Sequence, residues 1–380
     1  MYCGFTEEQE MWRKTVNDFM DKEVGREYCR KVYQERQYPY EFYDKVVKQG
    51  WLGLMIPEKH GGVESDVVMY TIMNEALAKF GVDIATSVSV SAFSAMNIVH
   101  HGTEEQKDRY LSRVVKGEIR FSISITEPNA GSDAASLATS ARLDGDCFVV
   151  NGQKVFASAA HAKNNIMCMG VRTDTSLPKH KGISVLLVPN DLPGIEMRRL
   201  DTLARRATGT NEVFLDNVMV PKENLLGELN GGWKILTGHL EIERAAVAGM
   251  NVGNAQTAVD DAIRYAKERE QFGRPIGQFQ VIKHMLAQMQ LEVDAARLLT
   301  YRAAAMTDMG IPCRKEVSMA KLFASETLFK VATQGMQIMG GYGTMPEYDM
   351  ERYFREGKQA TIGGGTSEIQ RGIIARELGL

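Results

Sequence analysis

Two periodicities divide the chain. Up to about residue 118, apolar positions recur three and four apart over 7–23, 40–49, 67–80 and 104–116, which places them on one face of a helix. Thr103 with Gln106 three residues on predicts an N-cap and capping box, and PEKHGG at 57–62 predicts a turn between helices. The stretch 86–94 is rich in small residues, and no Lys or Arg occurs between Lys79 and Lys107. From about Arg120 the pattern shortens. Runs at 121–126, 147–150, 165–172, 183–188 and 212–220 are of β type, separated by Gly, Asn, Asp and Pro, with DGD (144–146) and NGQ (151–153) as turn signals. Helical spacing returns near Trp233 and holds to the end. The expected fold class is α+β and multidomain: an N-terminal helical domain (1–118), a middle antiparallel β domain (119–229) and a C-terminal helical domain (230–380).

Composition narrows the function classes. In 380 residues, 24% are charged and 44% hydrophobic with a net charge of -3, which argues against a nucleic-acid or anionic-membrane partner. No apolar run approaches about 18 residues and the N-terminus has no signal-peptide core, so no membrane span and a cytoplasmic location are expected. The five cysteines are odd in number and scattered, which predicts free thiols in a reducing compartment. No CxxC or HExxH spacing occurs, so no metal site is expected.

The stretch 231–272 reads as one long helix. Leu236, Leu240, Glu243, Val247 and Met250 share a face, and four of the five are apolar. A carboxylate in such a stripe is paired, protonated or chemically employed. Pairing with Arg244 or with a distant base is the ordinary reading of Glu243, and catalysis the sharper one. Glu241 lies roughly on the opposite side of the helix.

Three further stretches carry candidate chemistry. ISITEPNAGSD (123–133) runs from a strand into a loop whose hydroxyls and amides suit a flat polar ring and a phosphate, although a plain strand exit has the same look. REQFGRPIGQFQ (269–280) is a helix stop and restart whose Arg269, Arg274 and Gln280 can reach a phosphate, or are simply solvated. QIMGGYG (337–343) and TIGGGTSEIQR (361–371) are glycine turns beside helices, suited to a phosphate or a developing oxyanion. No strand precedes these glycines with dinucleotide-fold spacing, which excludes a Rossmann reading.

Together, TEPNAGSD, NGQKVFAS, VFLDNVMVPKENLLGE, YAKEREQFGRPIGQFQ, QIMGGYG and GGGTSEIQRGIIAREL resemble the acyl-CoA dehydrogenase family of flavoenzymes along nearly the whole chain. The resemblance implies a C-terminal four-helix bundle and FAD held by Ile123, Ile125, Thr126 and Ser132, with Phe156 and Ser158 on the next strand. Phe156 stands where many members have Trp. The adenine-diphosphate part would meet Arg269, Phe272, Gln280, Gln337, Gly341, Thr366 and Glu368, partly from a neighbouring subunit, which implies a homotetramer (a dimer of dimers) or at least a dimer. Most members carry the catalytic carboxylate before the Gly-Thr of the last motif, where this chain has Gly364. A minority place it on the long helix in a Leu-x-x-Glu-Arg pattern, which Leu240–Arg244 matches, so Glu243 is the expected base and Glu241 the fallback.

The same resemblance implies an acyl-CoA substrate near Ser132, Arg244, Gly364 and Gly365. The α-proton would pass to Glu243 and the β-hydride to flavin N5, with the thioester oxygen held by the Gly364 amide and the flavin ribityl hydroxyl. Electrons would then leave to an electron-transfer flavoprotein. Three rivals share the resemblance: an enoyl-CoA reductase, like those of anaerobes that pair a Gly-Gly turn with a Glu-Arg helix; non-oxidative acyl-CoA chemistry; and an inactive flavin-binding scaffold. The absence of Lys and Arg between Lys79 and Lys107 argues against a dicarboxylate acyl group, with Arg205 and Arg206 as the alternative source of positive charge.

Overall fold

The computed structural model describes residues 4–238 and 240–380. Helices are α1 (Glu7–Phe19), α2 (Arg26–Gln34), α3 (Tyr40–Lys48), α4 (Val67–Leu77), α5 (Val82–His101), α6 (Glu104–Val115), α7 (Gly232–Gly238), α8 (Leu240–Glu268), α9 (Gln280–Asp308), α10 (Arg314–Met339), α11 (Met350–Ala360) and α12 (Ser367–Glu377). Strands are β1 (Arg120–Ser124), β2 (Ser140–Asp144), β3 (Cys147–Ser158), β4 (Asn165–Arg172), β5 (Ile183–Pro189), β6 (Ile195–Leu200), β7 (Thr210–Pro221), β8 (Leu225–Leu226), β9 (Glu270–Gln271) and β10 (Arg274–Pro275). The order helical, β, helical is as expected.

Two compact units form. One comprises the described residues through Gln34, Asp66–Ala85 and Glu241–Leu380; the other comprises Glu35–Ser65 and Thr86–Leu240. The second contains a mixed sheet in the order β6-β7-β3-β2-β4-β5-β8, with β1 beside β4. The purely antiparallel expectation fails there, because β1 and β4 run parallel, Arg120 against Asn165 through Ser124 against Met169. Strand β4 is buried on both faces, so it reads as a continuous apolar run. Ile166 and Cys168 join Phe121, Leu187 and helix residues Ile98, Tyr110 and Leu111. Met167, Met169 and Val171 turn the other way, towards Phe148, Val150, Val213 and Val220.

NGQ at 151–153 is not a chain reversal. It is a register shift inside β3, where Gly152 takes φ +150 and an added Cβ would lie 2.7 Å from Thr139 Cα. DGD does make the β2–β3 turn, with Asp144 paired to Cys147. The capping box also forms: the Gln106 amide donates to Thr103 Oγ1 and Gln106 Oε1 accepts from the Thr103 amide, both at 3.2 Å. The small-residue stretch 86–94 lies inside α5, a 20-residue helix whose all-round burial hid its period. That helix alone among the described residues has the length and hydropathy for a membrane span, yet 89% of its best window is buried inside the protein.

In the other unit, α8 lies against α4 through two glycines. An added Cβ at Gly249 would meet Thr71 at 3.0 Å, and one at Gly253 would meet the Glu75 carbonyl oxygen at 1.9 Å. Helix α10 packs on α9, α11 and α12. The long helix ends at Glu268, short of the expected Phe272. Arg274 and Pro275 pair back on Gln271 and Glu270, and both loop residues, Phe272 and Gly273, have positive φ (52° and 78°), the backbone of a tight hairpin turn.

Candidate active site

The glycine-bulged strand β3 positions the first group. Lys154 has a fully buried side chain, and its Nζ lies 2.7 Å from Glu127 Oε1 and 3.2 Å from the Ile125 carbonyl oxygen. The Glu127 carboxylate also accepts from the Ala138 amide (2.6 Å) and the Thr139 amide (2.9 Å). Burial works to raise the Glu127 carboxyl, but the Lys154 charge and these donors hold it below the usual carboxylate range. Burial pulls Lys154 down to about 8 against the attraction of Glu127. This pair ties the TEPNAGSD loop to β3, and Val155 N–H donates to the Thr126 carbonyl at 2.9 Å. Sequence reasoning missed it, although both members lie inside the quoted motifs.

Two residues after Lys154, the pairing of β3 with β7 slips between Lys154 and Ala157. Phe156 sits in that slip at φ +58, and 60% of its surface is exposed. A bulky side chain in the left-handed region is strained, and a strained, exposed aromatic marks a surface for a flat ligand. Ile123, Ile125, Thr126 and Ser158 are half-buried in the same unit, and Ser132 is exposed on the loop. Arg205 donates to Thr86 Oγ1, so a guanidinium does reach the small-residue segment that has no cation of its own.

The carboxylate lies in the other unit. Glu243, on α8, is half-buried; desolvation lifts its carboxyl above the usual range, and Arg244 and Lys321 pull the other way. Tyr70 of α4 is buried near enough to feel its charge. The Arg244 side chain is buried, with its Nε unpartnered. Glu241 faces a different neighbour, with Oε2 4.0 Å from Cys313 Sγ. Gly364 and Gly365 both take left-handed backbone, φ 66° and 88°, and their amides donate no hydrogen bond among the described residues. Their carbonyls are engaged: Gln370 Nε2 lies 3.1 Å from the Gly364 oxygen, and Lys321 Nζ lies 2.7 Å from the Gly365 oxygen. A Cβ added at Gly364 would meet only Lys321 Cε, at 3.9 Å.

A cavity of about 570 Å³ opens beside this bundle, lined by Tyr265, Arg269, Gln271, Gly341, Tyr342 and neighbours. The Arg269 guanidinium lies 5.7 Å from the Tyr342 ring centroid. Of the residues expected to hold an adenine-diphosphate, Arg269 and Gly341 line this cavity. Phe272, Gln280, Gln337, Thr366 and Glu368 do not. Phe272 is 93% exposed at the hairpin tip, packing edge-on against Phe279. Gln280, Gln337 and Glu368 are exposed, and Thr366 caps α12 through the Ile369 amide. Tyr265 and Tyr342 were missed; the glycines flanking Tyr342 were their one signal. Within this unit, an arginine over a ring and open glycine backbone fit an anionic diphosphate; in the other, the exposed Phe156 fits a flat ring system.

Known proteins resemble the chain along its whole length. The N-terminal, middle and C-terminal acyl-CoA dehydrogenase domain families match residues 6–118, 122–218 and 230–379. The chain is 39% identical to the probable acyl-CoA dehydrogenase YngJ of Bacillus subtilis, covering 100% of both chains. It is 37% identical to the caffeyl-CoA reductase-Etf complex subunit CarC of Acetobacterium woodii, covering 98% of both. Butyryl-CoA dehydrogenase from Megasphaera elsdenii superposes with a TM-score of 0.94 at 33% identity, covering 100% of each chain.

Proposed function

We infer the function from one premise: the chain belongs to the acyl-CoA dehydrogenase family. It is an FAD-dependent oxidoreductase acting on the CH–CH bond of an acyl-CoA, and Glu243 is its base. The observation that carries the assignment is the desolvated carboxyl of Glu243, in a chain whose Gly364 has no side chain to act as a base. FAD, when bound, accepts the β-hydride and so completes a two-electron oxidation to a 2,3-enoyl-CoA.

The chain's own residues supply the rest. Glu243 takes the α-proton, and its raised affinity for that proton narrows the gap to so weak an acid. The unbonded amides of Gly364 and Gly365 offer fixed donors to the thioester oxygen as charge develops on it. Arg244 and Lys321 oppose the rise that desolvation imposes on the Glu243 carboxyl. Phe156 offers its face to the flavin ring, with Ile123, Ile125, Thr126, Ser132 and Ser158 around it. Arg269 and Gly341 meet the diphosphate. We assign Phe272, Gln280, Gln337, Thr366 and Glu368 to the cofactor of a second copy, in keeping with the exposure of all but the half-buried Thr366. The exposed Val281, Leu291 and Leu298 along α9 support a homotetramer.

The electron partner is an electron-transfer flavoprotein, as the name of the Acetobacterium relative's complex suggests. That relative is a reductase, which favours a second reading in which the same proton and hydride move the other way. The four described cysteines form no disulfide, which supports a reducing, cytoplasmic setting. We keep the three-domain division at 118/119 and 229/230, with which the matched segments run in step.

The test is a panel of straight, branched, aryl and dicarboxylate-derived acyl-CoA thioesters, scored by loss of oxidised-flavin absorbance in wild type and Glu243→Gln. The dicarboxylate belongs in it because Arg205 stands at Thr86. Wild type bleaches with at least one thioester. Glu243→Gln keeps its FAD and loses about two to four decades of rate. Normal turnover in that variant discards the base assignment. Bleaching by a reduced donor followed by reoxidation with an enoyl-CoA alone selects the reductase direction.

A further inference from the structure

Lys321 is a buried lysine whose nearest partners carry no charge. Its side chain, on α10, is fully buried, and Nζ donates to the carbonyl oxygens of Ala360 (3.0 Å) and Gly365 (2.7 Å). No carboxylate lies within ion-pair distance among the described residues. A methionine would fill the same space without the several kcal/mol that burying an ammonium costs. Lys side chains are almost never fully buried without a compensating interaction. Two features of the site account for the charge.

The first is the glycine turn. In a trans peptide the N–H points away from the C=O of the same unit. Gln370 holds the Gly364 carbonyl and Lys321 holds the Gly365 carbonyl, so the amides of Gly365 and Thr366 are directed the other way. Those amides and that of Gly364 donate no hydrogen bond among the described residues. Left-handed backbone at Gly364 and Gly365 makes this turn soft, so an external clamp is needed to keep its donors aimed. The second feature is Glu243. The charged and titratable groups acting on it are Arg244 on its own helix, Lys321 from α10 and Tyr70 from α4. Those acting on Lys321 are Arg244 and Glu243 from α8, Glu326 on its own helix and Glu368 from α12.

We propose that Lys321 is a positioning residue for the reaction: its ammonium clamps the glycine turn so that the turn's amides meet the thioester oxygen, and its charge acts on Glu243 from beyond ion-pair distance. The inference rests on the reading of Glu243 as the base. Burial, with the Arg244 charge, lowers Lys321 to about 8, so it is largely charged at neutral pH.

The test uses the FAD-loaded protein and 3-thiabutyryl-CoA and 3-thiaoctanoyl-CoA. These can lose an α-proton, but the sulfur at the β position has no hydride to give. The long-wavelength absorbance of the resulting enolate against the flavin, followed over pH, therefore reports proton abstraction and enolate affinity separately from turnover. In Lys321→Met the pH midpoint rises by about one unit, because a cation beside the base is gone, and enolate affinity falls about tenfold or more. Lys321→Arg keeps the charge but not the point-like ammonium, so the midpoint stays near wild type while affinity still falls.

A Lys321→Met protein with wild-type flavin content, midpoint and affinity overturns the proposal. Should that variant fail to fold, Lys321→Arg with unchanged affinity, or with a midpoint displaced as far as its affinity, overturns it instead. Glu243→Gln is the control for the underlying reading: enolate formed by that variant at the wild-type midpoint rejects the base, whatever the Lys321 variants show.

Discussion

Replacing Lys154 with Met removes one half of a buried ion pair at nearly constant volume. The partner left behind is a carboxylate whose residue is 8% exposed and which keeps only the amides of Ala138 and Thr139, at 2.6 and 2.9 Å. Leaving such a charge uncompensated costs about 3–5 kcal/mol, whereas removing both partners is often close to neutral. Glu127→Gln in the same background retains an acceptor for one of the two amides, so the double variant Lys154→Met/Glu127→Gln is expected to recover more than half of the loss. The sign with pH also follows. In the wild type the Glu127 carboxyl is held low, so below about 4.5 the unfolded chain binds more protons than the folded one. Stability is then lost as pH falls through the folded-state value. Without Lys154, burial acts on Glu127 against only the two amides, so its carboxyl rises relative to the wild type, and the stability lost in Lys154→Met shrinks on acidification as the carboxyl is neutralised. The assay is thermal unfolding of the FAD-loaded protein at pH 5 and pH 7, followed by far-ultraviolet circular dichroism and by the flavin fluorescence that appears on release. A loss below about 1 kcal/mol at pH 7, or a double variant no better than the single one, would refute the argument that this pair holds the loop.

Three further outcomes are expected. Because desolvation raises the Glu243 carboxyl, and the base acts only when ionised, the acid limb of turnover falls above the usual carboxylate range near 4.5; a pH profile whose limb lies at or below it contradicts this. Phe156→Gly relieves the left-handed strain and raises the stability to unfolding by about 1 kcal/mol, yet weakens FAD binding to the apoprotein about tenfold; equal or tighter binding by titration denies Phe156 its stacking role. Gly253→Ala forces a methyl to within 1.9 Å of the Glu75 carbonyl oxygen in the α4–α8 seam, so stability falls by about 1–3 kcal/mol in chemical denaturation, and a neutral result would contradict that packing.

Much of this architecture was legible in the one-dimensional pattern, because helical and strand periods are local. Strand β4 was bounded as Asn165–Arg172 from its apolar run, and the Thr103–Gln106 box from two residues three apart. The position of Glu243 in a Leu-x-x-Glu-Arg stretch, with glycine at 364, was equally local. Where local signals were silent or ambiguous, the reading slipped. Helix α5 is buried all round, and so carries no stripe. NGQ has the look of a turn, but Gly152 serves a bulge against Thr139. The 231–272 helix lost its last turn to a hairpin set by Phe272 and Gly273. The interactions that decide the site were beyond any local pattern. Glu127 and Lys154 are 27 residues apart, Lys321 and Gly365 are 44 apart, and Arg205 reaches Thr86 from 119 positions away. A chain's composition and period determine which segments can bury a face. Which charges meet in the resulting low-dielectric interior depends on how distant segments pack, and that is known only once the tertiary structure has formed.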